Sequence, residues 1–362
     1  MRISCLRDDL VDRLQLALPF TSQRGSLPVL SGAFMEAEEN FLTLRTTDLN
    51  SFFKTTLPCE TEASGKCVVN ARLLLDILKD MEEEKLAMRL EDNRLTVEGI
   101  SSFFHLQTMP WEDFPEEPEK GSTLVEELES SSFSTAIERV SKAASKDEKR
   151  PVLTGIFIEV KENNLTLVST DSYRLSLVRM NEGFKVRGEG EYIIPSQLSS
   201  GITRLTQKGD KFDLYGDETG SYVTMKIGDS ELKIRLIDGK FPKYEQFIPK
   251  DPDKEVWIEK KRLLSSLKRL AHVGNTVKFE FKEGELKISA VSKDVGEAWE
   301  VLPVDFRGGD ITIAFNGKFI EDGVSSAGGD RIYMGLTDPL KPAIIKGDDA
   351  EDYIYLVMPV RL

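Results

Sequence analysis

The stretch LPVLSGAFMEAEENFLTLRTTD at 27–48 returns at 150–171 as RPVLTGIFIEVKENNLTLVSTD. Aligned without a gap, 13 of the 22 positions are identical, and the steps from Pro28 to Pro151 and from Asp48 to Asp171 are both 123 residues. A shared period of that length means duplicated domains. At roughly 100–200 residues per domain, a chain of 362 residues holds two to four of them. Copies that begin near 1 and 124 leave room after 250 for a third unit, so the repeat selects three: 1–120, 124–250 and 251–362.

Each unit has the same internal grammar. DDLVDRLQLALPF, NARLLLDILKDM and SFSTAIERVSKAASK carry apolar residues at helical spacing, and FLTLRTTDL, NRLTVEGI, NLTLVSTD, YVTMKIG and ELKISAVS alternate apolar with polar residues. A weaker echo runs inside each unit: NARLLLDILKDM leads to DFPEEP, and PSQLSSGITRLTQ leads to GKFPKYEQFIP, with Phe114-Pro115 and Phe241-Pro242 lying 127 residues apart. The third unit keeps the pattern with different words, in EKKRLLSSLKRLAHV, TVKFEFKEGELKISAV and ITIAFNGKFIEDGV. The reading is an α+β fold of three repeated domains, each made of two helix-plus-antiparallel-sheet halves, with about six helices in all. PEEPEKGST and IPKDPDKE interrupt the periodicity and serve as linkers.

No apolar run approaches the roughly 18 residues of a membrane span, and MRISCLRDDLVDRL is charged too early for a signal peptide, so a cytoplasmic protein is expected. Cys5, Cys59 and Cys67 are odd in number and lack CxxC spacing, which argues for buried thiols rather than a disulfide framework or a zinc site. Catalytic signals are missing: the two histidines, His105 and His272, have no metal-binding or nucleophile motif around them, and no phosphate-binding glycine loop occurs. No catalytic residue, metal or cofactor is therefore assigned. The repeated Thr-Asp at 47–48 and 170–171 follows a strand each time and reads as turn chemistry, not as a pair of catalytic carboxylates.

The net charge of −14 argues against binding nucleic acid through overall basicity. The cations cluster all the same. Lys142, Lys146, Lys149, Arg150, Arg204, Lys208, Lys260, Lys261, Arg262, Lys268 and Arg269 lie on or beside helical segments, so helices that share a face make that face positive. Two function classes stay open on these grounds: a protein that holds DNA, and a repeat-built adaptor that binds proteins without DNA.

RPVLTG with TDSYRL, then GKFPKYEQFIP, and finally YLVMPVRL occur in the order in which they stand in the bacterial DNA polymerase III β subunit, and the chain resembles that sliding-clamp family over its full length. The resemblance implies a non-catalytic processivity factor: half of a head-to-tail homodimeric ring of DNA-clamp domains, with helices lining the hole, double-stranded DNA threading it without sequence specificity, and a nucleoid-associated cytoplasmic location. It implies partners that dock through clamp-binding peptides, namely the replicative polymerase alpha subunit, the clamp loader, and repair and translesion polymerases, and no membrane.

Residue by residue, the resemblance places the peptide pocket at Leu153, Thr170, Ser172, Tyr173, Arg174, Leu175, Pro242, Gln246, Phe247, Asn316, Phe319, Pro342, Leu356, Met358 and Arg361. Ser172, Tyr173 and Phe247 stand where the family often has glycine, histidine and a smaller aliphatic residue, which implies a narrower, more aromatic pocket. DNA contacts fall to Arg24, Lys146, Lys149 and Arg150, with Arg204 and Lys208 from the basic helical set. The dimer interface falls to Leu73, Phe104, His272, Val273 and Glu300.

Overall fold

The structure is a computed structural model and describes residues 1–22, 27–119, 121–217, 220–349 and 352–361. These contain six α-helices: α1 (Arg7–Ala17), α2 (Ala71–Asp80), α3 (Ser130–Ser141), α4 (Ser199–Thr206), α5 (Lys260–Leu270) and α6 (Gly317–Ser326). Each lies where the apolar spacing places a helix. In α2 the buried Ala71, Leu74, Leu75 and Leu78 form one stripe, and the Asn70 side chain accepts a hydrogen bond from the Leu73 N–H, satisfying one of the donors that a helix start leaves open. The strands follow period two just as clearly: in Thr276–Lys282 Val277, Phe279 and Phe281 are buried, while the residues between them are only half-buried.

The chain folds into two compact units, Met1–Ser134 with Gly183–Gly190 and Leu198–Leu236, and Thr135–Glu182 with Glu191–Gln197 and Ile237–Leu362. The first contains a five-stranded sheet in the order Glu60–Ala63, Arg2–Leu6, Lys85–Glu91, Arg94–Glu98, Phe103–Gln107. It also contains a nine-stranded sheet in which Ser51–Pro58 pairs antiparallel with Ser230–Arg235. The second unit repeats the arrangement: a nine-stranded sheet in which Arg174–Met180 pairs antiparallel with Tyr353–Val357, and a four-stranded sheet ordered Gly296–Pro303, Glu285–Ser292, Thr276–Lys282, Ile311–Asn316. Compactness therefore does not follow the sequence repeat. The second repeat gives one half to each unit, because backbone pairing between strands of different repeats binds those halves into shared sheets.

The identities that define the repeat have physical reasons. Asp48 Oδ1 accepts from the N–H of Asn50 (3.0 Å) and Ser51 (2.7 Å), and Asp171 Oδ1 accepts from Tyr173 (2.9 Å) and Arg174 (3.0 Å), so both aspartates are turn residues. The glycine of each PVLxG phrase is a matter of space: a Cβ on Gly32 would lie 2.4 Å from Val68 Cγ1, and one on Gly155 2.3 Å from Ile193 Cγ2. All three cysteines are buried and free, and burial pushes the Cys5 and Cys67 thiols up to about 12, which keeps them protonated and unreactive.

Candidate peptide-binding site

In the second unit a groove of about 550 Å³ is lined by Thr170, Ser172, Tyr173, Arg174, Leu175, Pro242, Tyr244, Gln246, Phe247, Pro342, Leu356 and Met358. Four stretches meet there, 170–175, 242–247, Pro342 and 356–358, and two devices join the first to the last. The turn at 170–174 is fixed by its own side chains: Thr170 Oγ1 donates to the Arg174 carbonyl (2.6 Å) and accepts from the Ser172 N–H (3.1 Å). The Met358 N–H then donates to the Tyr173 carbonyl (2.8 Å), which ties the end of the last strand to that turn. Ser172 has φ of 78°, in the left-handed region that glycine occupies without strain. Its hydroxyl accepts from Arg150 Nη1 at 2.9 Å.

The floor is apolar and buried. Leu175, Tyr244 and Leu356 are buried in one cluster with Phe157, Val168, Leu177, Ile193, Ile344 and Ile354. At the mouth Tyr173, Phe247 and Met358 are 64%, 55% and 40% exposed, so the lip consists of large side chains that water covers poorly. This combination suits an apolar peptide anchor: a preformed floor, adaptable walls and little polar surface to desolvate.

Of the fifteen residues placed in the pocket by resemblance, eleven line this groove. Leu153, Asn316, Phe319 and Arg361 do not. Leu153 is buried with its carbonyl accepting from the Ser145 N–H, Asn316 caps α6 by accepting from the N–H groups of Lys318 and Phe319, and Arg361 is exposed. Phe319 packs under Arg174, whose guanidinium carbon lies 4.2 Å from the ring centroid. Tyr244, which also lines the groove, was missed, although it stands two residues after the Phe241-Pro242 echo and its ring was the available signal.

Arg174 has a structural task as well as a place in the lining. Nε donates to Asp171 Oδ2 (3.0 Å) and Nη1 to Asp322 Oδ2 (2.6 Å), with all three side chains no more than 15% exposed. Burial works against its charge, yet Tyr355, Asp322 and Asp171 together push its pKa up. Removing one partner of such a buried network costs about 3–5 kcal/mol, toward the lower end here, because Asp171 loses its cation while Asp322 keeps Lys318 at 2.9 Å. Arg174→Met is therefore expected to lower the unfolding free energy from urea titration by that amount, through a lower midpoint at an unchanged m-value. An unfolding free energy within about 1 kcal/mol of wild type contradicts the assignment.

The residues placed on DNA are spread over both units. Arg24 lies outside the described residues. Lys146, Lys149 and Arg150 are exposed in the loop before the second PVLxG phrase, and Arg150 also forms an ion pair with Asp147 at 3.6 Å. In the first unit Arg204 and Lys208 share a cleft of about 580 Å³ with Arg72 and Lys79 of α2. There Lys208 pairs with Asp12 at 2.8 Å, and Arg204 Nη1 donates to the Gln15 carbonyl at 3.4 Å. Arg72 and Lys79 were hidden in a segment whose net charge is negative.

The residues placed at the dimer interface lie on or beside sheet edges. Leu73 is 48% exposed on α2, and Phe104 sits on the edge strand Phe103–Gln107 with its side chain packed against the first unit's core. Its neighbour Phe103 points outward at 62% exposed. His272 and Val273 follow α5, and Glu300 lies on the edge strand Gly296–Pro303, where Trp299 and Val301 are 59% and 52% exposed. Trp299 and Val301 stand beside the residues placed there by resemblance, and their signal in the sequence is apolar residues at alternate positions of a strand that turns them to water.

The Glu300 carboxylate is engaged within its own chain. Arg269 donates to both of its oxygens at 2.6 Å and Ser266 adds a third hydrogen bond, which holds its pKa down at about 2. An unfolded glutamate titrates at about 4.3, so the stabilisation is complete above that value and is lost as pH falls through about 2. The melting-temperature gap between wild type and Glu300→Gln is expected to be full at pH 7 and to close on acidification. A gap that persists at pH 2 refutes the pair's role.

Sequence profiles of the DNA polymerase III beta subunit match the chain in register: its N-terminal domain at 1–118, its central domain at 127–243 and its C-terminal domain at 245–361. The beta sliding clamp of Streptomyces coelicolor is 31% identical, covering all of both chains. The chain belongs to the beta sliding clamp family. Its fold is also that of solved members: the DNA polymerase III beta subunit of Thermotoga maritima superimposes with a TM-score of 0.93 at 28% identity, over 100% of this chain and 99% of that one. A sliding clamp from Pseudomonas aeruginosa bound to griselimycin gives 0.94 at 29% identity, with both chains fully covered.

Proposed function

We propose that the chain is a sliding clamp that closes head-to-tail with a second copy around duplex DNA and carries its clients on the groove described above. Its repeats are 1–120, 124–250 and 251–362. Three repeats per chain and two chains give six similar sectors, which is how one fold closes a ring. The exposed apolar residues on the edge strands Phe103–Gln107 and Gly296–Pro303 support such a closure. The observation that carries the reading is the apolar groove with its Tyr173, Phe247 and Met358 lip, in a chain of this family. Polymerase, clamp loader, and repair and translesion polymerases are the clients for it, each through an apolar peptide.

The chain does no chemistry of its own; polymerase activity belongs to the complex. DNA is held by topology, with phosphates attracted weakly by exposed cations such as Lys146, Lys149, Arg204 and Lys208, which permits sliding. No helix of the described residues is long and apolar enough to cross a membrane, and the work on DNA puts the protein in the nucleoid-associated cytoplasm. Once loaded on nicked circular DNA, the protein is expected to stay through a salt wash and to leave when the circle is linearised. Equal retention on both forms refutes topological holding and favours ordinary binding. In the same assay Lys146→Ala with Lys149→Ala is expected to flatten the salt dependence of DNA binding by about two counterions without changing retention on circles.

A further inference from the structure

The turn beneath the groove occurs twice. In the first unit Thr47 Oγ1 donates to the Ser51 carbonyl (2.7 Å), the Leu49 N–H donates to Thr47 Oγ1 (3.0 Å), and the Arg235 N–H donates to the Asn50 carbonyl (2.7 Å). These repeat, bond for bond, the contacts of Thr170, Ser172 and Met358 in the second unit. Leu49 has φ of 72°, against 78° for Ser172. The rings that back the two grooves match as well: Phe34 lies 5.2 Å from Phe114, and Phe157 lies 4.9 Å from Phe241.

Strand register then shows what stands at each groove position. Ser51 pairs with Ile234 and Phe52 with Lys233, as Arg174 pairs with Val357 and Leu175 with Leu356. Lys233 thus occupies the place of the floor residue Leu356. By the spacing from the Phe-Pro echo, Glu117 occupies that of Tyr244, and by the next strand's register Tyr222 occupies that of Pro342. Lys233 is 1% exposed, with its Nζ 3.2 Å from Glu117 and hydrogen-bonded to the Pro118 carbonyl, and the Tyr222 ring packs edge-on against Phe52 at 6.4 Å.

We infer that the site around Phe52 and Lys233 is a second copy of the peptide groove held shut by the Lys233–Glu117 pair and the Tyr222–Phe52 contact, so that these residues decide where an apolar peptide docks and limit each chain to one site. The inference rests on the peptide-binding reading of the groove in the second unit. An apolar anchor entering the first copy has to part Lys233 from Glu117 and leave the buried ammonium without its carboxylate, a penalty that apolar contact offsets poorly. Leu356 and Tyr244 impose no such penalty.

The test counts griselimycin molecules per chain by native mass spectrometry and titration calorimetry. Wild type is expected to bind one. Lys233→Leu with Glu117→Tyr and Tyr222→Ala is expected to bind two, the second within about a hundredfold of the first in affinity. A folded variant that still binds one, or a wild type that binds two, overturns the inference alone. A wild type that binds none overturns the reading of the groove, and this inference with it. If the variant loses its near-UV circular dichroism, Lys233→Met with Glu117→Gln and Tyr222→Ala, which keeps the side-chain stems and truncates one half-exposed ring, is counted in its place under the same outcomes.

Discussion

Phe103→Glu with Trp299→Glu is expected to reduce the mass in solution from the two chains of the proposed ring to one while each chain stays folded. Both residues sit on strands that end their sheets, and both are more than half exposed, at 62% and 59%. An edge strand presents unpaired backbone groups, and one that also carries large apolar side chains is built to be covered. Aromatic residues at the centre of an interface each contribute about 2 kcal/mol or more, so two of them weaken association by about a thousandfold. Burying two introduced carboxylates adds to that. Phe104 is a poorer place to test, since its side chain packs on the core of the first unit and a charge there attacks the fold. Sedimentation equilibrium at micromolar concentration decides the matter. A double variant that keeps the dimer mass removes these edges from the interface, and a monomeric wild type removes the ring.

The sequence made the repeat, the six helices and the turn aspartates legible because each rests on local rules. Asn70 and Asn316 cap the helices that follow them, and Asp48 and Asp171 bond to the backbone within three residues. What stayed hidden is set by strands far apart in the chain. Nothing in RLSLVRM announces that it pairs with YIYLV, or that FFKTTL pairs with ELKI, yet those two pairings decide that the second repeat is shared between two compact units. The same limit applies at the site. Resemblance put Arg174 in the groove, but that its guanidinium is spent on Asp171 and Asp322 needs Asp322 of α6, 148 residues away. Alternation alone cannot distinguish Phe103 from Phe104, since one phase of a strand faces core and the other faces water only once the sheet exists.

Met358→Asp with Phe247→Ala is expected to weaken the proposed binding of an apolar peptide, probed with griselimycin, about a hundredfold and to leave the mass in solution and melting temperature within error of wild type. Met358 is 40% and Phe247 55% exposed, so neither holds the core together, and both stand on the lip of the groove. Loss of the phenylalanine ring removes roughly 1–2 kcal/mol of contact, and a carboxylate facing an apolar ligand costs a similar amount or more in desolvation. Together that makes about 3 kcal/mol, or two powers of ten. Truncation after Pro359 should do less. It leaves Leu356 and Met358 in place and removes Arg361, which does not line the groove, along with the bond from the Val360 N–H to the Ala314 carbonyl. The order of effects separates two accounts of the C-terminal segment. If truncation costs more affinity than the double substitution, the last residues touch the peptide themselves and the groove extends past Met358. If neither change alters affinity, the ligand binds elsewhere and the groove at 170–175 is not its site.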